Sequence, residues 1–196
     1  LEVTEIDERI KNIITRINVN NTAELEDAAK EVQKIITSSQ MPSEIQSEII
    51  EAYDTLNLDS EMLEREDISW DVMNILKVSK EPEFVAVRSS ATTEDLETAS
   101  FAGQQETFLN IKGNAALLDA VKRCWASLFT ARAIYYRQKK NFEYDAAKIA
   151  VVVQRMVNSD KSGVIFTVNP VNNKDEIVME AVFGLAIHST LKFMFE

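Results

Sequence analysis

The 196 residues carry 32 acidic side chains against 21 basic ones, and the formal charge of −11 leaves no general basic field for nucleic acid or an anionic membrane. With 45% hydrophobic residues, nine Phe and two Trp, the chain can bury a core and is not of disordered composition. Its length suits one domain, or one compact unit with a helical annex. Cys124 is the only cysteine, so an internal disulfide is impossible and a reducing cytosol is the expected compartment. No apolar run approaches the roughly 18 residues that a membrane-spanning helix needs. The first ten residues, L-E-V-T-E-I-D-E-R-I, are acidic and amphipathic, unlike a secretory signal, and lack an initiating Met, so an excised piece of a longer chain is expected.

Residues 1 to about 77 read as helices. Ile6, Ile10, Ile13, Ile14 and Ile17 recur at three- and four-residue spacing and mark one apolar stripe. A second helix should open at Thr22, as N-cap, with Leu25, Ala28, Ala29, Val32, Ile35 and Ile36 inward. A third should follow Pro42 and bury Ile45, Ile49, Ile50 and Tyr53. Residues 57–82 are expected to hold a shorter helix and a linker, and Lys80-Glu81-Pro82 is the best internal boundary. That boundary gives a helical segment over 1–82 and a β/α core over 83–196.

The stretch from 84 to 111 is the most informative. Val85 and Val87 alternate as in a strand that runs into Arg88, and six hydroxyl residues follow within twelve positions: Ser89, Ser90, Thr92, Thr93, Thr98 and Ser100. Ala102-Gly103 breaks the chain before a second strand, Thr107 to Ile111. A guanidinium at the mouth of a loop rich in hydroxyl and backbone N–H donors suits a polyphosphate. Gly103 adds a backbone without Cβ, which lets N–H groups approach phosphate oxygens closely. A surface hairpin rich in Ser and Thr is the plain alternative.

Asn114 is placed to cap one long helix running to about Lys140, with Leu117, Leu118, Val121, Trp125, Leu128 and Phe129 inward. Its basic residues, Lys122, Arg123, Arg132, Arg137, Lys139 and Lys140, read as a solvated face, and Cys124 reads as packing. Three strands are expected at 148–157, 163–169 and 176–182, joined by short turns that imply antiparallel neighbours. Gln154 ends a run of buried-type residues, Ala150 to Val153, where it needs hydrogen-bond partners from backbone or ligand, or an exposed strand edge.

The order R-S-S-A-T-x-E-D, S-F-A-G-Q-Q-x-T-x-L, A-V-V-V-Q-R-M-V, S-G-V-I-F-T-V-N-P and E-A-V-F-G-L, from residue 84 to residue 185, resembles the ATP-binding domain of phosphoenolpyruvate synthases and their dikinase relatives. The resemblance implies an α+β chain of ATP-grasp type, truncated, with an antiparallel sheet and flanking helices. It implies ATP as ligand, with Arg88, Gly103 and Thr107 at the phosphates, Gln154 near the base or ribose, and Met156 as an apolar contact to the adenine. No catalytic residue and no metal ligand falls in the chain by this reading. Mg²⁺ is expected, held by acids beyond the chain's end, with Glu94 and Asp95 ordering the loop and Glu180 a weaker ligand candidate. His188, in A-I-H-S-T, does not match the family's phosphohistidine context. The match stops at Leu185, and the family's phosphate-gripping lysine lies ahead of the first helix seen here. The parent is expected to pass phosphate from ATP through a histidine to pyruvate, leaving AMP and phosphate, with this piece inactive alone. Alternatives are the ATP-binding domain of a rifamycin-type antibiotic phosphotransferase, or a truncated, non-catalytic nucleotide-binding module. Neither nucleic acid nor membrane is an expected partner, and pyruvate would be met only through domains absent here.

Overall fold

The computed structural model describes residues 5–56, 81–91, 107–140 and 148–185. It combines helices with antiparallel sheet and divides into two units, Leu1–Arg155 and Met156–Glu196.

In the first unit, the isoleucine stripe folds as α1 (Glu5–Arg16), with Ile10 and Ile14 buried. Asn21, one residue earlier than expected, caps α2 (Thr22–Ser38): its Oδ1 accepts from the Glu24 backbone N–H at 3.4 Å. Glu24 reaches back to accept from the Asn18 backbone N–H at 3.0 Å, so the two side chains satisfy free donors at the helix entry. Asn outranks Thr at this position, and only Asn21 sits where its amide oxygen can reach the third residue. The six inward residues expected for α2 are buried. In α3 (Ser43–Leu56) only Tyr53 is buried, while Ile49 and Ile50 are half-buried and Ile45 is exposed. The expectation for Ile45 fails because it sits in the first turn, beside Glu44 and Ser47 on the exposed side.

The sheet of this unit has the order β2-β1-β3, with β1 (Val85–Ala91) central and antiparallel to both neighbours, β2 (Thr107–Ile111) and β3 (Ile149–Arg155). Between the pairs Val85–Ile111 and Val87–Phe108, two residues of β2 oppose Ala86 alone. That bulge is made possible by Asn110, whose φ of 57° lies in the left-handed region that Asn tolerates. β1 continues three residues beyond Arg88, the point at which sequence suggested a loop. Ser89, Ser90 and Ala91 are held in the strand by pairing with Val151, Ala150 and Ile149.

The expected single helix over 114–140 is two: α4 (Asn114–Ser127) and α5 (Ala131–Lys139). Thr130 breaks the run by capping α5, accepting from the Ala133 N–H at 3.2 Å. Nor does Asn114 cap α4. The N-cap is Gly113, at φ 86°, and it makes no side-chain cap bond. Arg137, expected on a solvated face, is buried. Its Nη2 donates to the Leu128 carbonyl and its Nε to the Ala133 carbonyl, and its guanidinium lies 5.2 Å from the Phe129 ring. The charge is carried inward because it closes the Leu128 carbonyl, left open where α4 stops, and adds a bond to a carbonyl of α5. Arg132, Lys139 and Lys140 are exposed as expected, while Lys122 donates to the Thr37 carbonyl at 2.7 Å and ties α4 to the end of α2.

Two clusters make the core. One joins α1 and α2 to the α4–α5 corner through Ile10, Val32, Ile36, Phe129 and Ile134. The other packs Met41, Tyr53, Leu117, Val121 and Cys124 against Val85 and Val87 of β1. Trp125, half-buried, touches both clusters, and the Cys124 Sγ donates to the Val87 carbonyl at 3.7 Å.

The second unit is the hairpin β4 (Lys161–Phe166) and β5 (Val178–Phe183). The expectation that β3 and β4 pair is not met, because they belong to different sheets. Gly163 is required by close approach: a Cβ there would lie 2.6 Å from the Glu180 carbonyl oxygen across the pair.

Candidate functional site

The two faces of the three-stranded sheet differ sharply. On β1, Val85 and Val87 are buried against α4 and Ser89 is buried too, while Ala86, Arg88 and Ser90 alternate to the other face, with Arg88 exposed. Residues opposite one another in an antiparallel pair share a face, so register decides which side chains of β2 and β3 join Arg88. Thr107 of β2 and Val152 of β3 lie directly opposite Arg88. Gln154 lies opposite Ala86, and Ala150 opposite Ser90. Three of the five residues singled out in the sequence, Arg88, Thr107 and Gln154, therefore stand on one open face. Val151 and Val153 turn inward against the core.

These polar groups are unspent. Arg88, Thr107 and Gln154 are all exposed, and among the described residues none of their side chains takes a hydrogen bond or an ion pair. Arg88 is not at the mouth of a loop, as the sequence suggested, but in mid-strand, its backbone held on both sides. The rigid support fixes where the guanidinium starts, while the side chain stays free to meet an anion. Around it Ala86, Ala150 and Val152 form a low floor, so a planar ligand can lie close to the backbone.

The end of the sheet next to Gln154 is braced. Arg155 holds Glu83 with two bonds of 2.9 and 2.8 Å. The Glu83 carbonyl accepts from the buried Tyr53 hydroxyl at 2.7 Å, which in turn accepts from the Gly113 N–H at 3.2 Å. This chain of contacts joins α3, the start of β1, the end of β3 and the entry to α4. On the core side, Arg123 lies 4.0 Å from the Phe108 ring, so this cation braces β2 and is not offered to the open face.

Gly103, Glu94, Asp95 and His188 lie outside the described residues. Met156 directly follows β3 and falls in the second unit, where it is half-buried. Glu180 lies in β5 opposite Val164. Among the described residues no group of three His, Cys, Asp or Glu side chains is placed to hold a metal ion. No described helix is long and apolar enough to cross a membrane.

Residues 1–188 match the family described as pyruvate phosphate dikinase, AMP/ATP-binding domain. The chain belongs to that family. It is 46% identical over 176 residues to a probable phosphoenolpyruvate synthase of Methanothermobacter thermautotrophicus, covering 90% of this chain and 23% of that protein. It is 45% identical over 185 residues to a probable phosphoenolpyruvate synthase of Pyrococcus abyssi, covering 94% and 20%. With the phosphoenolpyruvate synthase of Pyrococcus furiosus it shares 45% identity over 177 residues, covering 90% and 20%. The chain thus spans about a fifth of the length of these curated relatives.

Proposed function

We propose that this chain is the nucleotide-binding part of a phosphoenolpyruvate synthase, and that ATP lies on the open face of the β2-β1-β3 sheet. The observation that carries the reading is the convergence of three polar side chains that have no partner among the described residues, Arg88, Thr107 and Gln154, on the face not covered by α4. A guanidinium and a hydroxyl suit phosphate oxygens, and an amide, with both donor and acceptor, suits a base edge or ribose hydroxyl. Gly103 is proposed to sit over the phosphates and Met156 against the adenine, both on the strength of the family resemblance. The architecture is proposed to be of ATP-grasp type.

In the parent protein the terminal phosphates would pass through a histidine to pyruvate, with AMP and phosphate released in the cytoplasm. Phosphoryl transfer of this kind depends on positioning and charge neutralisation, and these are what the open face supplies. The Mg²⁺ that accompanies ATP would be held by acids outside this chain. The test is a titration of ATP–Mg²⁺ into the 196-residue chain by calorimetry. Saturable binding that weakens as salt rises is expected, since an exposed cation–phosphate contact is screened. An absence of binding at millimolar ATP would overturn the reading.

A further inference from the structure

The register orders the open face along the strand axis. Gln154 and Ala86 lie at one end, Arg88 with Thr107 and Val152 in the middle, and Ser90 with Ala150 at the other end. Diagonal neighbours on one sheet face are roughly 7–8 Å apart, which is the separation expected between Arg88 and Gln154. Ser90 is four residues further along β1 and one strand across from Gln154, so these two stand about 14 Å apart with Arg88 between them. Ser90 is half-buried, and among the described residues its hydroxyl has no hydrogen-bond partner.

From this layout we infer that Ser90 binds the terminal phosphate of the nucleotide and separates ATP from AMP. The inference rests on the function proposed above and adds an orientation to it. If Gln154 takes the base or ribose and Arg88, with Thr107 opposite it, the middle of the phosphate chain, an extended nucleotide that continues along β1 runs toward Ser90. A hydroxyl there donates to a phosphate oxygen that ATP has and AMP lacks. The flanking Ala150 adds no side chain that would block the approach. Ser90 was visible in the sequence only as one of six hydroxyls. Its place beside Arg88 on the open face comes from the pairing of β1 with β3, whereas its neighbour Ser89 faces the core.

The test is calorimetric titration of ATP and of AMP into the full chain and its Ser90→Ala, Ser90→Thr and Arg88→Ala variants, with thermal melts to confirm folding. A hydrogen bond to a charged group at a half-buried site predicts roughly a tenfold loss of ATP affinity in Ser90→Ala. AMP affinity should stay where it was, and Ser90→Thr, which keeps the hydroxyl, should restore ATP binding. Unchanged ATP affinity in Ser90→Ala, or an equal loss for ATP and AMP, overturns the assignment. If Arg88→Ala weakens ATP binding while Ser90→Ala does not, only the Ser90 assignment falls. If Arg88→Ala has no effect, the placement of the phosphates falls and this inference with it.

Discussion

Replacing Arg88 with Ala should weaken ATP binding by about 10- to 150-fold, the range that follows from losing charge-assisted bonds of roughly 1.5–3 kcal/mol. The side chain is exposed and makes no internal bond among the described residues, so its removal should leave the fold intact and act on the ligand alone. In a chain of formal charge −11, repulsion between the protein and a polyphosphate must be overcome locally, which makes this one cation matter more. Arg123 cannot substitute for it, because it lies over Phe108 on the core side. Arg88→Lys should recover only part of the loss, since an ammonium cannot reproduce the two-pronged geometry of a guanidinium. Calorimetric titration at fixed ionic strength reads the effect. Equal affinity in wild type and Arg88→Ala would contradict the account.

Leu117→Ala should cost about 2–5 kcal/mol of stability, the range for emptying a well-packed leucine site. Leu117 is fully buried, and it belongs to the cluster that packs α4 with Val85 and Val87. Its neighbours come from α3, β1 and α4 together, so no single element can shift to fill the void. Leu117→Met, which roughly conserves volume, should cost less than about 1.5 kcal/mol. Urea unfolding followed by circular dichroism would show a lowered midpoint with an unchanged slope. A loss under about 1 kcal/mol would mean that the face of α4 is not packed on the sheet as described.

Much of this fold could be read from periodicity. The stripe of α1, the inward face of α2 and the alternation of Val85 and Val87 follow from the 3.6- and two-residue repeats of buried surface. Tertiary contacts decided the rest. Ser89, Ser90 and Ala91 have loop composition, yet β3 holds them as strand. Arg137 looks like a surface charge until the α4–α5 corner gives it carbonyls to bind. A single antiparallel sheet was expected from the short turns between strands, but pairing divides the strands between a three-stranded sheet and a hairpin. The site was legible in part. The order of motifs named Arg88, Thr107 and Gln154, but only the pairing of β1 with β2 and β3 puts them on the same face.

Methyl-resolved NMR reads whether the nucleotide lies on the open face. Ala86, Ala150 and Val152 have side chains on that face, while Val85, Val87, Val151 and Val153 have theirs on the core face of the same strands. On titration with ATP, the methyl signals of the first group should move in proportion to saturation while those of the second stay in place. Movement confined to the core-facing valines, or to residues outside the sheet with Ala86, Ala150 and Val152 unmoved, would contradict the account.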